Sequence, residues 1–124
     1  MEQNCVVWSS SITVEESENI ERVQKVALRI CLKDDYGSYQ NALAVTGLET
    51  LEERRKILCL KFARKSARHP QMSHMFPLNE RKKGPATRNP EKQFYVQPGN
   101  TDRLRNSSIP YMQGLLNQYG CKLK

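Results

Sequence analysis

Two adjacent aspartates, Asp34 and Asp35, are the residues whose spacing could support catalysis. Paired carboxylates can hold the two metal ions of a phosphoryl-transfer site, as they do in polymerases. Here the pair follows a predicted helix and precedes Gly37, and no alternating strand pattern lies on either side. Because Asp and Gly favour turns, the sequence predicts a turn at this position, with no metal ion or other cofactor.

The remaining candidate ligands and nucleophiles are scattered along the sequence. His69 and His74 are five residues apart, and the nearest cysteine is Cys59. The fold would have to gather these isolated ligands, so no zinc site is predicted. The chain contains no P-loop, no G-x-G-x-x-G and no C-x-x-C, and its spacing shows no Ser/His/Asp arrangement. We therefore predict that the chain alone is not an enzyme, has no small-molecule substrate and does not extend a primer.

Positive charges lie along one side of a helix predicted within residues 48–70. At about 100° per residue, one strip of this helix contains four cations and is flanked by a fifth. With the basic tract that follows, they are the predicted nucleic-acid-binding residues: Arg54, Lys61, Arg64, Lys65, Arg68, Arg81, Lys82 and Lys83. Lys and Arg bind phosphates without reading bases. The alternative is that these charges form an ordinary solvated face.

The charge distribution supports an anionic partner. The 124-residue chain carries a net charge of +7, but residues 1–50 contain four Lys/Arg and eight Asp/Glu, a net −4, whereas residues 51–124 contain sixteen and five, a net +11. A basic half of this kind favours nucleic acid over a membrane surface. No apolar run approaches the roughly 18 residues needed to span a bilayer, so no membrane association is predicted.

Size and cysteine usage indicate a small intracellular domain. With 124 residues, of which 38% are apolar, the chain can form one domain with a modest core. The four cysteines lie far apart, and two of them fall within apolar helical patterns. This usage is typical of buried thiols in a reducing compartment and not of a disulfide framework. We therefore predict a cytoplasmic or nuclear location.

Three helices are predicted between residues 13 and 68. Thr13 with Glu16, and Thr50 with Glu53, form capping boxes that begin two of them. The segment YQNALAVT between them predicts a short helix that ends at Gly47. Periodicity gives each helix one apolar face. The predicted shared core comprises Ile20, Val23, Ala27, Ile30, Leu43, Leu51, Leu58 and Phe62.

The pattern changes beyond Pro70. Five of the six prolines fall between residues 70 and 98, where apolar periodicity is largely absent. Residues 94–96 could form a short strand or an extended docking segment. A terminal helix is predicted after Ser107 or Ser108, with Ile109, Met112, Leu115 and Leu116 on its apolar side. The predicted fold is mainly α: a three-to-four-helix cluster in residues 1–70, then a long Pro-rich, basic, irregular extension in residues 71–124.

Several segments resemble one protein family. In order along the chain they are CVVWSSSIT, ERVQKVALRI, LETLEERR, HPQMSHMFPLN, RNPEKQFYV and TDRLRNSSIPYMQGLLN. Together they resemble the C-terminal region of the reverse transcriptases of non-LTR retrotransposons from animals. The resemblance covers nearly the whole chain, and ERVQKVALRI and LETLEERR are its most specific parts.

The resemblance implies a non-catalytic C-terminal fragment of an RNA-directed DNA polymerase. In that family the region follows the palm and holds the template–primer duplex with thumb and post-thumb helices, so the implied partner is RNA or an RNA–DNA hybrid. The family's catalytic aspartates lie in an early palm strand and in an aromatic-x-Asp-Asp hairpin. Neither matches here, because Leu32 and Lys33 precede Asp34. No catalytic residue is carried over, and Mg²⁺ belongs to the full-length polymerase. Met1 falls inside the family's first thumb helix, which is therefore expected to be truncated.

Two alternatives to nucleic-acid binding stay open. The apolar residues 6–8 and the Met-rich segment after Pro70 could bind a protein partner, as part of a stand-alone helical module. The chain could also be a non-functional remnant. Added salt distinguishes nucleic-acid binding from protein binding, since phosphate binding weakens steeply with added salt and apolar docking does not.

Overall fold

The computed structural model describes residues 3–78 and 94–120, and within them the chain is mainly helical, as predicted. Two short 3₁₀ helices cover Lys33–Asp35 and Ser73–Met75. Within the described residues, strand-like pairing is limited to an isolated antiparallel bridge between Leu78 and Phe94. The α-helices are α1 (Cys5–Trp8), α2 (Val14–Leu32), α3 (Tyr39–Thr46), α4 (Leu51–Arg68), α5 (Asp102–Arg105) and α6 (Ser108–Tyr119).

Local capping signals set the starts and ends of the helices. Thr13 and Glu16 form the predicted capping box: the Thr13 amide donates to the Glu16 carboxylate at 2.8 Å, and the Glu16 amide donates to Thr13 Oγ1 at 3.2 Å. The pKa of Glu16 is lowered, because the Thr13 amide and the Thr13 hydroxyl both donate to its carboxylate and stabilise the ionised form. Thr50 accepts from the Glu53 amide at the start of α4. Gly47 ends α3 in the left-handed conformation that glycine adopts without strain.

Helix α4 lies at the centre of the fold and packs against α1, α2 and α6. Buried residues recur at nearly every fourth position on its inward side: Leu51, Arg55, Cys59, Ala63 and Ser66. Leu51 is buried, as predicted for the shared core. The inward side is nevertheless rotated away from the larger apolar residues, since Leu58 is half-buried and Phe62 is 37% exposed.

The predicted inward face of α2 is wrong. Val23 and Ile30 are 51% and 66% exposed and Ala27 is exposed as well. The buried residues of this helix are Gln24 and Leu28. Gln24 donates through Nε2 to the backbone oxygen of residue 49 at 3.1 Å, so a polar contact selects the inward side. Ile20 is half-buried at the edge of that side.

Glu21 joins three helices at the inner edge of α2. Its carboxylate accepts the backbone N–H of Leu51 at the first turn of α4, at 3.1 Å from Oε2, and it also accepts the hydroxyl of Tyr39 from α3. Burial, together with this hydrogen bond to Glu21, raises the pKa of Tyr39. A carboxylate at a helix N-terminus is favoured by the unpaired N–H groups there. This polar junction fixes how α2 is turned relative to α4.

The C-terminal segments complete the core on α4. The cluster of buried apolar residues joins Ala63 of α4 to Phe76, Phe94, Met112 and Leu116. The core therefore crosses residue 70, where the sequence places a domain boundary. Helix α6 begins after Ser107 as predicted, with the predicted Met112, Leu115 and Leu116 buried and Ile109 half-buried.

Cysteine burial follows the prediction only in part. Cys5 and Cys59 are buried and form no disulfide within the described residues, and the Cys59 sulfur lies 3.3 Å from Ser9 Oγ. Cys31 is exposed because it lies on the outward side of α2, and Cys121 is outside the described residues. None of the helices described combines the length and the apolar character needed to cross a membrane.

Candidate nucleic-acid interface

The outward side of α4 carries the predicted cationic strip. Lys61, Lys65 and Arg68 are exposed, and Arg54 and Arg64 are half-buried beside them. With a rise of 1.5 Å per residue, the strip from Arg54 to Arg68 extends about 21 Å along the helix axis. The structure thus brings together the five helical cations that the sequence predicts, along one edge of the molecule.

Lys61 and Lys65 are the most available of these cations. They lie one helical turn apart, about 6 Å along the axis. Both side chains are exposed, and neither forms an ion pair or a hydrogen bond within the part of the chain that the structure describes. Their ammonium groups can therefore contact phosphates without first breaking an internal interaction.

The strip also contains one apolar residue. Ile57 is 38% exposed between the cations of the strip.

A neighbouring cation, Lys56, is already paired with Glu52, with 2.8 Å between Nζ and Oε1. The hydrogen bond from Lys56 lowers the pKa of Glu52 and raises that of Lys56, so both stay charged over the neutral range. The cationic character of this face therefore comes from the predicted strip and not from Lys56.

Arg64 has a structural role that the sequence does not reveal. Its Nη2 donates to the backbone oxygens of Tyr119 and Gly120, at 3.4 and 3.2 Å. The last carbonyls of a helix lack intrahelical donors and carry partial negative charge. Arg64 therefore caps α6 from α4, and less of its charge is available to a ligand.

We expect the substitution Arg64→Gln to lower the free energy of unfolding by about 1 kcal/mol, because the half-exposed guanidinium contributes charge-assisted bonds to the end of α6. Urea titration followed by circular dichroism measures the change. The neighbouring Lys65→Gln is the control and should stay within about 0.5 kcal/mol of the wild type. Equal costs for the two variants would contradict the capping role.

Three of the predicted binding residues, Arg81, Lys82 and Lys83, lie outside the described residues. Their place relative to the strip on α4 stays a prediction.

The acidic and histidine candidates are solvent-exposed. Asp34 and Asp35 lie in the 3₁₀ helix that ends α2, in agreement with the predicted turn. His69 and His74 are exposed, and the His69 Nδ1 accepts the backbone N–H of Gln71 at 3.3 Å. Within residues 3–78 and 94–120, no three His, Cys, Asp or Glu side chains are grouped as metal ligands would be.

One cation was missed as a site residue. Arg55 is only 4% exposed and lies on the inward side of α4. Its Nη2 donates to Ser17 Oγ at 2.7 Å, and its guanidinium carbon lies 5.8 Å from the centre of the Trp8 ring. Its spacing in the sequence could have indicated this burial. Arg55 is four residues from both Leu51 and Cys59, which places it on the buried side of α4.

Comparisons with known proteins give no match. The chain matches no family model, no curated protein and no solved structure.

Proposed function

We propose that this chain binds nucleic acid without sequence preference, as the thumb-side, non-catalytic C-terminal piece of a retrotransposon RNA-directed DNA polymerase. The cationic strip on the outward side of α4 carries the proposal. The polymerase assignment rests on the sequence resemblance alone. RNA or an RNA–DNA hybrid is the expected ligand, and no catalytic step is assigned to the chain.

The length of the strip suits a phosphate backbone. A nucleic-acid strand carries one phosphate for about every 3.4 Å along its axis. The roughly 21 Å between Arg54 and Arg68 along α4 therefore matches about six nucleotides of one strand. The exposed Lys61 and Lys65 lie in the middle of that span.

The strip is presented by a well-supported helix. The opposite side of α4 is buried against α1, α2 and α6, so the cations lie on a rigid element. Phosphate contacts on such an element require little ordering of the backbone on binding, which lowers the entropic cost. Sequence preference is not expected, because Lys and Arg contacts to phosphate position a duplex without reading base edges.

A protein-binding function is the second candidate, and the outward apolar side of α2 favours it. Val23, Val26 and Ile30 are all at least half exposed on this helix. Among the predicted docking residues 6–8, Val7 is exposed, whereas Val6 packs against the core and Trp8 is half-buried. Apolar docking of this kind would depend little on salt, in contrast to phosphate binding.

The triple substitution Lys61→Gln, Lys65→Gln and Arg68→Gln tests the proposed function. We expect it to weaken binding to a labelled RNA–DNA hybrid by about tenfold or more, because three phosphate contacts are lost. The slope of log K against log salt should become shallower by about 2 to 3, since each lost contact removes roughly 0.7 to 0.9. Fluorescence anisotropy at several salt concentrations gives both quantities.

A matched control removes the same charge from α2. The substitutions Arg22→Gln, Lys25→Gln and Arg29→Gln change three exposed cations on another helix. This control should leave most of the affinity and the slope in place. If the two triple variants lose affinity equally, net charge alone explains binding. If the α4 variant folds normally and binds as the wild type does, the strip is an ordinary solvated face.

A further inference from the structure

The outward side of α2 carries a stripe of three aliphatic residues, Val23, Val26 and Ile30, which are 51%, 51% and 66% exposed. They follow one another at steps of three and four residues. At 100° per residue, this α2 stripe lies on the opposite side of the helix from the buried Gln24 and Leu28. A contiguous apolar surface of this kind marks a site of contact with another molecule.

The spacing of the α2 stripe continues to both ends of the helix. Glu16 and Asn19 precede Val23 by seven and four residues, and Lys33 follows Ile30 by three. All of them are exposed. Alternating steps of three and four residues form the seam along which two helices pack in a coiled coil. Because the series is the same in either direction, a second copy of α2 running the opposite way would present an equivalent seam.

The charges of α2 favour this antiparallel arrangement. The first turns of the helix carry Glu15, Glu16 and Glu18, whereas its last turn and C-cap carry Arg29 and Lys33. A parallel copy would place like charges together at both ends. An antiparallel copy places the acidic end of each helix beside the basic end of the other, where the charges attract. The surface is therefore complementary to itself, as an interface with two-fold symmetry must be.

The cations near the middle of α2 are compatible with such a contact. The Lys25 ammonium lies 5.1 Å from the centre of the Tyr39 ring of α3, which holds it away from the α2 stripe. Arg22 is exposed beside the stripe, and its long side chain can keep the guanidinium in water. Neither charge has to be buried when the stripe is covered.

We propose that two copies of this chain associate through α2, packed antiparallel about a two-fold axis at the midpoint between residues 24 and 25. In this register, Val23 lies opposite Val26 of the second copy, and Glu16 lies opposite Lys33. Asn19 lies opposite Ile30, and a polar residue within such a seam fixes the register at a cost in stability. The contact is on a different helix from the cationic strip and does not depend on the proposed nucleic-acid function.

The dimer is expected to be weak. Three partly exposed aliphatic side chains from each copy fall short of the roughly 1,200–2,000 Å² that a standard stable interface buries. We expect a dissociation constant on the order of 100 μM, which sedimentation equilibrium of the full chain between about 20 μM and 1 mM can measure.

A pair of matched variants tests the apolar contact. Val26→Glu should weaken dimerisation by about tenfold or more, because each copy then places a carboxylate against Val23 of the other. Val14→Glu is the control: Val14 is 77% exposed on the same helix, turned about 120° from Val26, and its dissociation constant should stay within about twofold of the wild type. Both positions are exposed and glutamate favours helix more than valine does, so circular dichroism should show two folded chains.

Mixing two charge variants tests the self-complementarity. One variant carries Glu15→Lys with Glu18→Lys, and the other carries Arg29→Glu with Lys33→Glu. Each alone should dimerise about tenfold or more weakly, because both ends of its α2 then bear the same charge. An equimolar mixture should associate to within about threefold of the wild type, since every end again meets its opposite. Restored association in the mixture also shows that both variants are folded.

The outcomes separate this proposal from its competitors. Concentration-dependent dimerisation that Val26→Glu weakens and Val14→Glu does not, together with recovery in the mixture, supports it. A chain that remains monomeric at about 1 mM would overturn it and would assign the stripe to a different protein. Equal effects of the two valine variants, or no recovery on mixing, would also overturn it. The variant with glutamine at positions 61, 65 and 68 should dimerise as the wild type does, so failure of the nucleic-acid proposal is seen separately.

Discussion

Replacing Phe94 with alanine is expected to lower the free energy of unfolding by about 3–5 kcal/mol, the usual cost of deleting a buried phenylalanine. Phe94 is 1% exposed and belongs to the core cluster that also contains Ala63 of α4 and Leu116 of α6. Its ring gives the segment after residue 93 an apolar contact with the helices. Urea denaturation followed by circular dichroism at 222 nm measures the loss.

The adjacent aromatic residue provides a matched control. Tyr95 is 46% exposed, so Tyr95→Ala should cost no more than about 1 kcal/mol. If the Phe94 variant were no less stable than the Tyr95 variant, the segment after residue 93 would not share the core of α4. The protein would then be better described as two units divided at residue 70, as the sequence predicts, than as one unit with a shared core.

Local signals allowed most of the helices to be predicted. The capping box at Thr13 and the glycine stop at Gly47 each involve residues within one turn of the helix end that they define, so sequence spacing is sufficient to find them. The same holds for the cationic strip on α4. Its residues share one helix face, and helix geometry alone places them together.

Tertiary polar contacts account for the main failure. On α2, periodicity selects the side with Val23 and Ile30 as the most apolar one, yet the structure turns that side outward. The inward side is chosen by Glu21, which accepts the amide of Leu51, and by Gln24, which donates to the loop before α4. These partners lie 30 and 25 residues away, and their pairing cannot be read from a local pattern.

The same limit applies to individual arginines of α4. Arg64 was predicted as a ligand-binding cation, but its bonds to the end of α6 span 55 and 56 residues. Arg55 was not predicted as a site residue or as a core residue, although its spacing places it between the buried Leu51 and Cys59. For Arg55, the spacing on the helix indicates burial, whereas the charge of the side chain alone would indicate exposure to solvent.

Two amide side chains of α6 hold the extended segments against the helices. Gln113 donates through Nε2 to the backbone oxygen of Met75 at 2.8 Å and accepts the backbone N–H of Gln97 at 3.0 Å. One turn later, Asn117 accepts the N–H of Phe94 and donates to its backbone oxygen, both at 2.9 Å. These amides take the place of a strand partner, which explains why residues 94–96 dock in an extended form without a sheet.

Replacing Gln113 with alanine is therefore expected to lower the free energy of unfolding by about 2–4 kcal/mol, because two partly buried backbone groups lose their partners. Gln113 is itself only 2% exposed, and the higher helix propensity of alanine offsets a few tenths of a kcal/mol. Gln118→Ala, at an exposed position of the same helix, is the control and should stay within about 0.5 kcal/mol of the wild type. Hydrogen exchange should show faster exchange of the Gln97 amide in the Gln113 variant alone. Unchanged protection of that amide would mean that the extended segment is held by its apolar contacts and not by the amide of α6.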